Sequence, residues 1–99
     1  MPYRFRLTSN AKRELDKEIA YSVKHWGKHH AKKYRQELLA VIKRIADNPF
    51  SYPEHTGIKK GYRVVSYKGN YIVYSVNEAE QYIEIVAFPG IYRGFQNEE

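Results

Sequence analysis

The chain contains no cysteine. That excludes disulfides, thiol catalysis and thiolate zinc sites, and it fits a reducing compartment. No apolar run approaches the ~20 residues needed to cross a bilayer, so no membrane partner is expected. The N-terminus, MPYRFRLTSN, lacks the apolar stretch of a secretory signal, and a cytoplasmic location is expected. There are six glycines. Gly57, Gly61, Gly69 and Gly90 fall at turn positions and not in a loop that could cradle phosphates. No serine has the surroundings of a nucleophile elbow. The acidic residues lie on helix surfaces and turns and form no paired-carboxylate pattern. Common hydrolase and metal chemistry is thereby unsupported, and no cofactor is expected.

What the chain does have is positive charge and tyrosine. Seventeen Lys and Arg face eleven Asp and Glu, a formal charge of +6, and there are ten tyrosines among 99 residues. This length fits one domain, residues 1–99, with a polar tail from about residue 91. A basic surface speeds encounter with acidic partners, whether nucleic acid or protein, and also serves solubility.

The hydrophobic pattern sets the element order. Tyr3, Phe5 and Leu7 alternate with Arg4, Arg6 and Thr8, which predicts a half-buried strand. Thr8 or Ser9 is placed to cap a helix. Ala11, Leu15, Ile19, Ser22, Val23 and Trp26 form one helical stripe, and Gly27 ends it. Ala31, Tyr34, Leu38, Val41, Ile42 and Ile45 form a second stripe, stopped by Asn48-Pro49. So short a connection predicts an antiparallel helical hairpin. Phe50 to Lys60 reads as a loop. Strands follow near Tyr62–Tyr67, Tyr71–Asn77 and Gln81–Ala87, with turns at Lys68-Gly69 and Asn77–Glu80. Ile72, Tyr74 and Val76 are expected inward, as are Ile83, Ile85 and Ala87. In the strand before them Val64 is expected inward, because an inward Arg63 buries a charge that needs a partner. Pro89-Gly90 ends the sheet. The fold class is α+β, β-α-α-β-β-β: an antiparallel sheet with the N-terminal helical hairpin packed on one face.

His25 and His29 are four residues apart, the spacing of helical zinc ligands, with His30 beside them. Gly27 interrupts the helix and no acid is placed as a third ligand, so solvated histidines are the better reading and no metal is expected. The segment KKGYRVVSYKGNYIVYSV carries basic and aromatic groups together. Arg4, Arg6, Lys59, Lys60, Arg63 and Arg93 belong to the sheet or its flanks, accompanied by Tyr62, Tyr67, Tyr71 and Tyr92. Such a set can bind phosphates and bases, anchor a protein, or serve a metal-free ribonuclease. It can also reflect the preference of tyrosine for strands and of arginine for soluble sheet faces.

The segments AKRELDKEIAYSVKHWG, AKKYRQELLAVIKRIADNPFSYPE, GYRVVSYKGNYIVYSV and YIEIVAF, in this order, resemble the RelE/ParE superfamily of type II toxin–antitoxin toxins. The resemblance spans about Tyr3 to Phe88. It implies a monomeric or dimeric toxin neutralised by a cognate antitoxin whose C-terminal segment wraps it, with operator DNA reached only through the toxin–antitoxin complex. RelE-like members cut mRNA on the ribosome, whereas ParE-like members poison DNA gyrase and serve growth inhibition and plasmid stabilisation. The ribonuclease branch commonly has an arginine where this chain has Ile72, after Tyr71. It tends to have a basic residue where this chain reads Phe88-Pro89-Gly90. Its late tyrosine falls near Phe95, with Tyr92 close by. The long helical hairpin and its NP ending look more like ParE, although FPGIYRGFQNEE departs from the usual ParE-like ending and Arg93 stands nearest to its arginine. The resemblance therefore implies a gyrase-binding toxin without catalytic residues. Its expected partner-binding residues are Arg63, Tyr67 and Tyr71 on the outer hairpin face, with Arg4, Arg6 and Arg93. The alternatives are a ribosome-dependent endoribonuclease using Lys59, Lys60, Arg63, Tyr92 and Arg93, and a basic nucleic-acid-binding module.

Overall fold

A computed structural model describes residues 3–55, 57, 60–67 and 70–89. The alternating N-terminal segment forms β1 (Arg4–Leu7). Tyr3, Phe5 and Leu7 pack against the core, while Arg4 and Arg6 are exposed. Thr8 is extended, and its Oγ1 accepts the Ala11 N–H at 3.1 Å. That satisfies one of the free donors of the first helical turn and starts α1 (Ser9–Trp26). Gly27, at φ 92°, is both the end of α1 and the start of α2 (Lys28–Asp47). A positive φ of this kind suits glycine, which has no Cβ to clash. Asn48 closes α2 before Pro49, as the sequence predicts.

Three strands complete the domain: β2 (Arg63–Tyr67), β3 (Asn70–Asn77) and β4 (Tyr82–Ala87). The four-stranded sheet has the order β1-β4-β3-β2. The pairs β2–β3 and β3–β4 are antiparallel, whereas β1 runs parallel to β4. The sheet is thus mixed where an antiparallel one was expected. Period-two alternation identifies a strand's inner face but carries no information about its direction.

The core lies between the sheet and the helical hairpin. Leu15, Leu38, Ile42, Ile45, Ile72, Ile83 and Ile85 are buried there with Tyr74. Each such aliphatic side chain stabilises the fold by ~1.5–3 kcal/mol. The second helical stripe behaves as expected. The first does so only in part: Ala11, Leu15 and Ser22 are buried, but Val23 and Trp26 are exposed, Trp26 at 66%. Length explains this. The 18 residues of α1 extend roughly 27 Å, whereas the six of β4 extend roughly 20 Å. The last turn of α1 leaves the layer that would cover it.

Two inward assignments are corrected. In β2 it is Val65 that is buried, while Val64 is half-buried and Ser66 exposed. Arg63, Val65 and Tyr67 are paired in register with Tyr74, Ile72 and Asn70, so they share the helix-covered face. The charge on Arg63 is tolerated there because it finds partners in the preceding loop. In β4 a bulge opposite Val73 and Tyr74 shifts the register. Ala87 then lies across from Val73 on the outer face, and Phe88 enters the core in its place. The Phe88 N–H donates to Glu14 Oε1 at 2.7 Å, tying the end of the sheet to α1. Val73 itself is buried, flanked in register by Val64 and Ala87, so the outer face is not uniformly open. The Lys68-Gly69 turn lies outside the described residues.

Tyr74 is fully buried, and its hydroxyl donates to the Pro49 carbonyl at 2.7 Å. Burial pushes its pKa from 10.0 up to about 12, against a partial opposing effect of the Arg63 charge. The folded state therefore keeps this proton after the unfolded chain has lost it. The stabilisation is fully present below pH 10 and disappears as pH rises toward 12. Tyr74→Phe is expected to cost ~1–3 kcal/mol at neutral pH, because a carbonyl loses its partner. In urea unfolding the gap between wild type and Tyr74→Phe should narrow through that alkaline window. A constant gap would contradict this role.

Candidate partner-binding groove

The strand order leaves β2 at one margin of the sheet, beside α2. Side chains bridge the space between them. Tyr67 donates to Glu37 Oε1 at 3.3 Å, its ring stacks on Tyr34 with centroids 6.3 Å apart, and Asn70 Nδ2 donates to the Tyr34 hydroxyl at 2.8 Å. Below these contacts runs an open groove of about 580 Å³. Ala40, Val41 and Arg44 of α2 form one wall, and Val64, Val65 and Ser66 form the other. Consecutive residues of a strand point to opposite faces. A wall made of three in a row is therefore the edge of β2. At its start this edge is covered: Glu54 bridges to Arg63, and the His55 N–H donates to the Tyr62 carbonyl at 2.8 Å.

Tyr52 also lines the groove, and Arg63 holds the loop that carries it. Arg63 donates from Nη1 to the Tyr52 carbonyl, and Nη2 lies 3.8 Å from Glu54 Oε2. Its guanidinium lies 5.2 Å from the centre of the Phe50 ring. Glu54 Oε1 also accepts the Gly61 N–H at 3.2 Å. Only 16% of the Arg63 side chain is exposed. Arg63 and Tyr67 thus face the helices, whereas Tyr71, paired with Ser66, lies on the opposite face. The three residues do not form the single outer surface expected from the sequence.

Arg4 and Arg6 lie elsewhere, on the outer face at the far margin. Arg6 donates to Glu84 at 3.2 Å and to the Tyr82 hydroxyl at 2.7 Å, and its guanidinium sits 4.2 Å above the Tyr82 ring. Arg4 donates to the Glu80 carbonyl at 3.3 Å. Tyr82 and Glu84 were not singled out from the sequence. Their alternation with Ile83 and Ile85 marks them as outward, but their neighbours emerge only with the parallel β1–β4 pairing. Of the alternative ribonuclease set, Lys60 is exposed in the turn before β2. Lys59, Tyr92 and Arg93 lie outside the described residues, as does the tail.

At the other end of the helices, His25 packs against Tyr21 with ring centres 4.1 Å apart, and His30 against Trp26 at 5.7 Å. Among the described residues no three His, Asp or Glu side chains are grouped to hold a metal ion. No helix among them is long and apolar enough to cross a membrane.

Residues 5–89 match the family model described as ParE toxin of type II toxin–antitoxin system, parDE. Toxin ParE1 of Caulobacter vibrioides is 30% identical over 82 residues, which is 83% of this chain and 85% of that protein. The fold is similar to a solved chain of a chromosomal ParDE toxin–antitoxin system from P. aeruginosa. The TM-score there is 0.76 at 16% identity, over 90% of this chain and 96% of that one. It also resembles a chain of the RelBE2 toxin–antitoxin complex from Mycobacterium tuberculosis, with a TM-score of 0.61 at 15% identity, over 91% of this chain and 99% of that one.

Removal of Arg63 should leave the Tyr52 carbonyl without its donor. Arg63→Ala is expected to lower stability by ~1–3 kcal/mol. Arg6→Ala, in a mostly exposed ion pair, should cost at most ~1 kcal/mol. Urea titrations of both variants measure the contrast, and equal losses would contradict the placement of Arg63.

Proposed function

This chain belongs to the ParE toxin family of type II toxin–antitoxin systems, and from that premise we propose that it arrests growth by binding a target protein, DNA gyrase, without a catalytic step of its own. The match to the family over residues 5–89 is the observation that carries this reading. The environment of Arg63 supports it. A ribonuclease would need that guanidinium turned toward RNA, yet it is engaged by the Tyr52 carbonyl and Glu54. Ile72, where the ribonuclease branch commonly carries an arginine, is fully buried. A cytoplasmic site of action goes with this function.

The groove between α2 and β2 is the seat we assign to the cognate antitoxin. An extended segment can add its backbone to a free strand edge, and it can place alternate side chains in the apolar space beside that edge. Val41, Val64 and Val65 supply the apolar wall. A chain of charge +6 attracts an acidic segment and orients it during encounter. Arg63 and Tyr67 act here by holding the groove open, Arg63 through the loop and Tyr67 through Glu37.

Two measurements test this. Supercoiling and DNA-cleavage assays with purified gyrase should show inhibition with trapped cleaved DNA as the toxin concentration rises. Cleaved mRNA in a purified translation system, with gyrase unaffected, would replace the reading with a ribosome-dependent endoribonuclease. For the groove, Ala40→Glu is the informative variant. Ala40 is exposed on α2 and four residues before Arg44, so the helix should tolerate the change. It should weaken antitoxin binding by about tenfold or more through like-charge repulsion and steric block. Unchanged affinity would exclude this seat.

A further inference from the structure

The exposed end of the helical hairpin has a composition that neither the core nor the groove requires. From residue 19 to residue 36 there is no Asp or Glu. The same stretch holds Lys24, Lys28, Lys32, Lys33 and Arg35, all exposed. His25, His29 and His30 are exposed among them. The first turn of α2 contains no acid, and its Gly27 cap offers no side-chain oxygen to the free N–H groups there. Lys28 therefore adds its charge to the positive end of a helix, an arrangement unfavourable for folding alone.

Two aromatic rings stand within this cationic surface. Trp26 is 66% exposed and Tyr21 47%. Trp26 belongs to the last turn of α1, which the sheet does not cover, and Tyr21 lies just before that turn. His25 and His30 pack on one side of these rings, and the rest of each ring is exposed. The end of the hairpin thus combines cations with accessible aromatic surface, the two features that single-stranded nucleic acid uses through its phosphates and its unstacked bases. Four of the five cations are lysines. Lysine is depleted in protein–protein interfaces, whereas it is a regular phosphate contact in nucleic-acid sites. The composition therefore favours a nucleic acid over an acidic protein surface.

We propose that this end of the α1–α2 hairpin binds single-stranded nucleic acid, with Lys24, Lys28 and Lys32 on the phosphates and Trp26 stacked on a base. The site lies ahead of Glu37, where the groove begins, and stands independently of which protein the toxin inhibits.

Trp26 is the sole tryptophan of the chain, so it reports its own contacts. The full-length free toxin would be titrated with an oligo-dT of ~16 nucleotides, the upper size of a small single-strand site. Saturable quenching of Trp26 fluorescence is expected. Three phosphate contacts should give a slope of about −2 for log K against log salt. The double variant Lys28→Glu/Lys32→Glu should bind about tenfold or more weakly, with a slope shallower by about 1.4 for two lost contacts. It places an acid at the positive end of α2, which favours the helix, and circular dichroism checks that the fold is kept. Trp26→Ala should weaken binding of labelled oligo-dT by about tenfold in fluorescence anisotropy, within the range for one lost stack. Absence of saturable quenching would overturn the proposal. So would unchanged affinity in the folded double variant, or binding of polyglutamate as tight as that of oligo-dT. Equal affinity for a duplex of the same length, without quenching, would also overturn it.

Discussion

The hydrogen bond from the Tyr74 hydroxyl to the Pro49 carbonyl fixes where the chain passes from the helical layer to the sheet. Pro49 ends α2 because proline lacks the donor that another turn needs. Tyr74 stands in the middle of the core, beside Ile72 and across from Ile85. Their bond sets the exit of α2 against the central strand. Arg63, directly across from Tyr74 in β2, holds the next part of the loop through the Tyr52 carbonyl and Glu54. The spacing of α2 from β2 then follows from interior contacts. So does the shape of the groove between them.

The same interior contacts divide the positive charge of the chain into groups with different work. Arg63 is engaged inside, where its cost of burial is offset by a carbonyl, a carboxylate and an aromatic ring. Arg6 is bound to Glu84 and Tyr82 on the outer face. The hairpin end has no acidic residue of its own to neutralise its lysines. In a ParE-family toxin, such a division leaves the proposed antitoxin seat in the groove and the proposed nucleic-acid site at the hairpin end as separate regions of the surface.

Much of this was legible in the residues. The N-cap at Thr8, the break at Gly27 and the stop at Asn48-Pro49 are local chemistry, and local chemistry is written in the sequence. The ordered segments that resemble RelE/ParE toxins led to the family the chain belongs to. The failures were of another kind. The inward turn of Arg63 depends on Tyr52 and Glu54, partners supplied by a loop with no period of its own. The replacement of Ala87 by Phe88 depends on a bulge, which inserts one residue and reverses the alternation after it. The parallel course of β1 depends on how the connections run, and alternation carries no direction. The expected common outer face of Arg63, Tyr67 and Tyr71 depended on the facing of β2, which the inward turn of Arg63 reverses, and the groove is a space between two elements that no single segment encodes.

Hydrogen exchange of the toxin, alone and with its cognate antitoxin, tests the central claim most directly. If the antitoxin adds to the edge of β2, the alternate backbone amides in Val64–Tyr67 that do not donate to β3 should become strongly protected on complex formation, and those of α2 from Glu37 to Arg44 should gain protection with them. The amides of Arg4–Leu7 should be unchanged. Protection confined to the outer face around β1 and β4, with the β2 edge exchanging as freely as in the isolated toxin, would contradict the groove as the site of neutralisation.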